Sequence, residues 1–170
     1  MASGDGYRVY ALLDPLLGKL GPSEFGRICQ LLLGFALLEA GYEVPTMQLS
    51  GRPDIIAKRA NAGYAFEVKA QLDYQVSLRQ EDITGVTGSG HDPVIAVLTF
   101  PDPDTQWIFA DARRLAKGVY NKLSLRRYSV RPLETEINSL FARVVDRLRR
   151  VLMEGSGTLA HAFEDERKRA

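Results

Sequence analysis

Phe25, Ile28, Leu32 and Ala36 recur at helical spacing, and Leu31, Leu33, Phe35, Leu37 and Leu38 widen that stripe around the cylinder, the pattern of a helix packed on more than one side. Gly21-Pro22-Ser23 breaks the chain in front of it. Ser23 is the expected N-cap, and Gly41 supplies the terminating residue. A shorter helix is expected over 7–19. From 42 to 49 the pattern becomes extended, Ser50-Gly51-Arg52-Pro53 interrupts it, and a second extended run over 54–59 turns at Asn61-Ala62-Gly63 into a third over 64–71. In that third run period two puts Tyr64, Phe66, Val68 and Ala70 on one face and Ala65, Glu67, Lys69 and Gln71 on the other.

Ser77 and Gln80 have the spacing of a capping box and predict a helix over 78–86, ended by Gly88 and Gly90. The run 94–100 is nearly unbroken, apolar and rich in β-branched residues, as in a strand covered on both faces, and a further strand fits 107–110. The rest reads as mainly helical, with Ile137, Leu140, Phe141, Val144, Leu148 and Val151 in a stripe opposite Arg143, Arg147, Arg149 and Arg150. The order helix, three strands, helix, one or two strands, then helices predicts an α/β fold with a mixed central sheet flanked by helices.

Composition narrows the class without choosing a function. The chain has 170 residues, 45% hydrophobic and 25% charged, with no repeat and no low-complexity tract, which suits one folded domain and excludes wholesale disorder and fibrous structure. We read 1–112 as the core with its N-terminal helix and 113–170 as a basic, mainly helical extension of the same domain. The single Cys29 excludes an intrachain disulfide and a thiolate zinc cluster. With no apolar run near the roughly 18 residues of a membrane span, and no leader-like start, the expected location is the cytoplasm, away from membranes. The net charge of +1 conceals a division: 1–112 hold 8 Lys and Arg against 14 Asp and Glu, a net of −6, and 113–170 hold 14 against 7, a net of +7. Such asymmetry suits a polyanionic partner; its bland counterpart is a set of solvated helix faces.

The chemistry concentrates on the hairpin. Asp54 and Glu67 stand on two strands joined by a short turn, which brings them side by side. A hard divalent ion such as magnesium takes oxygen ligands, and one or two carboxylates with water and a substrate phosphate are enough for it. Lys69 shares the face of Glu67, where an ammonium can stabilise charge on a phosphate or orient an attacking water. The plain alternative is a strand-face ion pair, contributing only about 0–1 kcal/mol.

Gly51-Arg52-Pro53-Asp54-Ile55-Ile56-Ala57 followed by Phe66-Glu67-Val68-Lys69 resembles the signature of the PD-(D/E)xK nucleases, over about residues 22–110. The resemblance implies a restriction-endonuclease-like core and hydrolysis of DNA phosphodiesters. It further implies one or two magnesium ions, replaceable by manganese, held by Asp54 and Glu67 with the Val68 carbonyl as a further ligand, and Lys69 as the catalytic lysine. Members often carry an acid in the first core helix near the metals, and Glu24 holds that place; Gln71 would reach substrate or metal-bound water.

A polyanionic substrate needs positive charge beside these acids. Lys117, Lys122, Arg126, Arg127 and Arg131, interleaved with Tyr120 and Tyr128, are the candidate DNA contacts, with a solvated connector as the counter-reading. His91 lies in a loop and His161 in a polar tail. No phosphate-binding glycine loop, G-x-S-x-G or plausible Ser-His-Asp set is present, which leaves nucleotide hydrolysis and serine-type acyl transfer with little support. Resolvases, restriction enzymes and repair nucleases share fold and metal site; the small core favours a structure-selective enzyme of repair or recombination, paired as a dimer through the apolar tail helix. The rivals are a catalytically silent DNA-binding or assembly protein with the same fold, and an interaction protein that dimerises through that helix.

Overall fold

The computed structural model describes residues 4–48 and 52–170; Leu49, Ser50 and Gly51, at the end of the expected strand and in the break after it, lie outside them. Two helices open the chain, α1 over Gly4–Leu20 and α2 over Pro22–Glu39. Between them the chain turns on Gly21 at φ 83°, which is the N-cap of α2. Pro22 takes the first helical position, where a missing N–H costs nothing and a fixed φ suits the helix. Ser23 therefore falls inside the first turn and does not cap, contrary to expectation.

Strands β1 (Glu43–Met47), β2 (Ile55–Arg59) and β3 (Ala62–Lys69) form an antiparallel meander. The turn between β2 and β3 is two residues tighter than expected, with Ala60 at φ 52° and Ala62 already paired with Arg59. A crossover through β4 (Gln75–Leu78) and α3 (Gln80–Thr87) leads to β5 (Asp92–Leu98), which lies parallel to β3, and β6 (Trp107–Asp111) returns antiparallel. The sheet order is β1-β2-β3-β5-β6. This is the mixed α/β arrangement that the pattern predicts.

Ser77 is not a cap: it sits in β4. The helix begins two residues later, with Arg79 as N-cap and the Asp82 carboxylate accepting the Arg79 backbone N–H at 2.8 Å. The periodicity of Val76 and Leu78 is that of a strand with one buried face, and the partner making it one is distant in sequence, β7 (Gly118–Asn121), antiparallel to β4. The extension is mainly helical, but it opens on a strand: 112–128 hold β7 between two 3₁₀ segments, Ala112–Arg114 and Lys122–Tyr128, before α4 (Arg131–Arg147), α5 (Arg149–Leu152) and α6 (Ser156–Arg169).

The sheet is covered on both faces. Phe66, Val94, Ala96, Leu98, Trp107 and Phe109 share one core with residues of α1, α2, α4 and α6. Their neighbours in the strands, Ala65, Ile95, Val97, Ile108 and Ala110, point the other way, into a smaller cluster with Val76, Leu78, Ile83, Val86 and Leu125. Gly34 of α2 lets Met47 and Phe163 close in, because a Cβ there would collide with both. Ile137, Phe141, Val144 and Leu148 are buried against neighbouring elements, so the stripe that suggested dimerisation is spent inside the molecule. Part of the opposite basic face is also engaged internally, Arg143 with Glu39 at 3.6 Å and Arg147 with Glu166 at 3.1 Å. No helix among the described residues is long and apolar enough to cross a membrane.

Candidate functional site

Asp54 stands one residue before β2, a step beyond the Ile55↔Phe66 pair, so the hairpin register brings it opposite Glu67. Its backbone is fixed by Asp54 N–H to Phe66 O at 3.0 Å and Gln48 N–H to Asp54 O at 2.7 Å. Its side chain reaches across to β3, where Oδ2 accepts the Val68 N–H at 2.8 Å. Burial pushes the Asp54 carboxyl above its usual range, against the opposing pull of that N–H.

Glu67 is only 5% exposed. Its Oε1 lies 3.5 Å from Lys69 Nζ and 3.8 Å from Arg52 Nε, while Oε2 is buried with no hydrogen-bond partner among the described residues. Burial, then repulsion from Asp54, raise its pKa to about 7; Lys69 opposes them and Asp82 adds to them. A carboxylate with a sealed, unpartnered oxygen beside a second carboxylate is strained electrostatically in a way that a bound cation relieves.

Lys69 binds most closely to a residue that the motif does not contain. Its Nζ is 3.0 Å from Asp82 Oδ2, against 3.5 Å to Glu67. Asp82, in the first turn of α3, is fully buried. Burial acts to raise its pKa, but the Arg79 N–H and the Lys69 ammonium outweigh that and hold it below the usual carboxylate range. Arg52 completes the group, with Nη2 at 2.9 Å from Asp82 Oδ1. Neither Asp82 nor Arg52 belongs to the acid-acid-lysine motif. Their marks in the sequence are an acid three residues after a strand-to-helix junction and a cation immediately before the Pro-Asp pair.

The remaining candidates are placed elsewhere. Glu24 does not join the trio: its Oε1 accepts the Ser156 N–H at 2.5 Å at the start of α6, and Oε2 is 3.9 Å from Arg27. The hydrogen bond from Ser156 is the main reason its carboxyl titrates below its ordinary value. As a first-turn acid on α2, it spends its charge on a second helix start. Gln71 lies beyond the end of β3, where its Oε1 is 3.4 Å from the Ser77 N and its carbonyl accepts the Lys122 ammonium at 2.5 Å. Lys69 and Gln71 border one open cleft of about 500 Å³, with Val68, Ala70, Leu72 and the start of α2. Lys122 is no surface cation: it is 1% exposed and also donates to the Phe100 carbonyl at 2.8 Å, and burial lowers its pKa to about 8. It ties the ends of β3 and β5 together. Lys117, Arg127 and Arg131 are exposed and Arg126 is half-buried. His91 lies at the opposite end of β3, beside Gly63, and His161 stands on α6, 3.9 Å from Asp165. Among the described residues, no group of three or more His, Cys, Asp or Glu side chains is set to hold a metal ion, so an ion here would rest on Asp54 and Glu67 and complete its shell with water and substrate oxygens.

No family model matches the chain, and no curated protein matches it. Among solved structures it is similar to a Holliday junction resolvase. That protein is Hjc of the archaeal hyperthermophile Archaeoglobus fulgidus, 20% identical, with a TM-score of 0.47 over 59% of this chain and 90% of the resolvase.

Proposed function

We propose that the chain is a divalent-metal-dependent nuclease that hydrolyses DNA phosphodiesters. The observation that carries this reading is the pairing of Asp54 and Glu67 across the β2–β3 hairpin with the Glu67 Oε2 buried and unpartnered. Asp54 and Glu67, with the Val68 carbonyl, would hold magnesium, or manganese in its place. When bound, the ion supplies Lewis acidity to the phosphoryl group and lowers the pKa of water.

The chain's own groups do the rest. The Val68 N–H locks the Asp54 rotamer. The Lys69 ammonium, held 3.0 Å from Asp82, offers its other protons to a non-bridging phosphate oxygen as charge develops. Hydrolysis forms one bond from the water oxygen to phosphorus and breaks one ester P–O bond. The attacking water gives up a proton and the departing oxygen gains one. Lys117, Arg126, Arg127 and Arg131 provide positive charge for flanking phosphates; Lys122 is withdrawn from that set by its burial. With the α4 stripe buried, the proposal is made for a single chain. The substrate favoured is branched DNA, which suits so small a core; the motif itself does not discriminate.

The test is a cleavage panel with magnesium on linear duplex, single strand, flap and four-way junction. Cleavage of at least one substrate, lost in Asp54→Ala and Glu67→Ala with the fold intact, is the expected result. DNA binding without cleavage on any substrate would instead make the chain a silent binding module, and cleavage undiminished in both variants would end the proposal.

A further inference from the structure

We propose that Arg52 is a second phosphate-contacting cation of this site and that Asp82 and Gly85 of α3 position it beside Lys69. The inference rests on the nuclease reading and adds to it a residue outside the acid-acid-lysine motif. Only Pro53 separates Arg52 from Asp54, so it belongs to the same strand end. Its guanidinium spans the two acids, Nη2 at 2.9 Å from Asp82 Oδ1 and Nε at 3.8 Å from Glu67 Oε1. Its side chain is 30% exposed while that of Asp82 is sealed at 0%. The cluster is thus layered: a buried acid beneath, Lys69 and Arg52 above it, and the more exposed Arg79 guanidinium at the rim, 3.7 Å from Asp82 Oδ1.

The Asp82 carboxylate does not need Arg52 for its own neutrality. Its Oδ2 already accepts the Arg79 N–H at 2.8 Å and faces Lys69 Nζ at 3.0 Å. What Arg52 adds is a planar fork whose Nη1 has no hydrogen bond among the described residues, and that fork matches the two non-bridging oxygens of a phosphodiester. Gly85 makes the placement specific. It lies inside α3 without a positive φ, so the backbone does not demand glycine there, and glycine lowers helix propensity. The neighbour that demands it is the Arg52 stem: a Cβ at 85 would stand 2.8 Å from Arg52 Cδ and 3.0 Å from Arg52 Cβ. The helix gives up propensity to seat this arginine.

That makes Gly85→Ala an informative variant, since it leaves the arginine's chemistry intact, supplies a better helix former and displaces the guanidinium. Cleavage with magnesium is measured for wild type, Arg52→Ala, Arg52→Lys and Gly85→Ala, together with fluorescence anisotropy of the same labelled DNA in EDTA over a salt series. Arg52→Ala is expected to lower kcat/KM by about 100-fold, with Arg52→Lys recovering only part of it. Millimolar guanidinium is expected to restore some activity to Arg52→Ala and none to Gly85→Ala. In the metal-free arm, the slope of log Kd against log salt should shrink by about 0.9 in Arg52→Ala, the loss of one phosphate contact. Wild-type kcat/KM together with an unchanged salt slope in Arg52→Ala would overturn the assignment and leave the nuclease reading standing. If wild type cleaves nothing but binds DNA, the nuclease reading falls and the salt slope alone decides Arg52. If it binds no DNA, both fall.

Discussion

On one face of the sheet Phe66, Trp107 and Phe109 share a dense, mainly apolar core with residues of four helices; on the other, a single short helix and a two-stranded ribbon cover a thinner cluster that borders Glu67, Lys69 and the fully buried Asp82. Both faces come from the same strands by alternation, so Phe66 and Glu67 are adjacent in sequence and opposite in role. The thick face is held by shape and the hydrophobic effect, where errors cost stability. The thin face admits charges because most are answered by a specific partner, Glu67 Oε2 being the exception, and errors there should cost chemistry. A sheet that is secure on one side can carry the electrostatic cost of a site on the other.

The largest expected effects break the comparison at its two poles. Trp107→Ala removes a fully buried ring that stacks on Phe109 at 6.2 Å and meets Phe141 edge-on at 5.6 Å. It should destabilise the chain by about 3–5 kcal/mol, read from the urea midpoint, while the folded fraction keeps its activity. Glu67→Ala should do the reverse, abolishing magnesium-dependent cleavage with little change in the midpoint. Equal stability losses at both positions would erase the distinction between the faces.

The sequence shows the site's parity and hides its depth. Alternation in β3 is a local property of an extended backbone, so the shared face of Glu67 and Lys69 can be read directly from period two. The hairpin register is almost as local, and it places Asp54. Asp82, Arg52 and Gly85 come together through a crossover, and no spacing within one element reports that contact. Long-range pairing also explains the misreadings. Ser77 looks like a cap until β7 pairs with β4, and Lys122 looks like a surface cation until its ammonium is found between the Gln71 and Phe100 carbonyls. The apolar stripe of α4 is correctly periodic, but periodicity does not say which surface will cover it.

A conservative change sharpens the contrast within the thin face. Glu67 has its pKa raised from 4.5 to about 7, so between those values the native state binds more protons than the unfolded chain, and stability falls as pH rises through that window. Glu67→Gln cannot titrate. It should remove this slope and be more stable than wild type at pH 8, by about 3 kcal/mol at most, with the two converging near pH 4. Thermal midpoints of both proteins from pH 4 to 8 provide the measurement. Parallel curves would mean that Glu67 carries no electrostatic strain in the fold, and would weaken the reading of its Oε2 as a place for a cation.

The smallest effect concerns Glu24, where motif and geometry disagree. The motif resemblance puts this residue with the metals, but its Oε1 holds the Ser156 N–H at the start of α6. A carboxylate there accepts an otherwise unpaired helix N–H and faces the positive end of the helix dipole, together contributing about 1 kcal/mol. Because its pKa is lowered in the fold, chiefly by that hydrogen bond, the contribution is present above pH 4.5, the ordinary value, and is lost as pH falls through the depressed folded value. Glu24→Gln should therefore lower the thermal midpoint slightly at neutral pH, lower it less in acid, and leave cleavage per folded molecule unchanged. A loss of cleavage with an unaltered midpoint would return Glu24 to the site and place part of the chemistry on α2, a helix of the thick face.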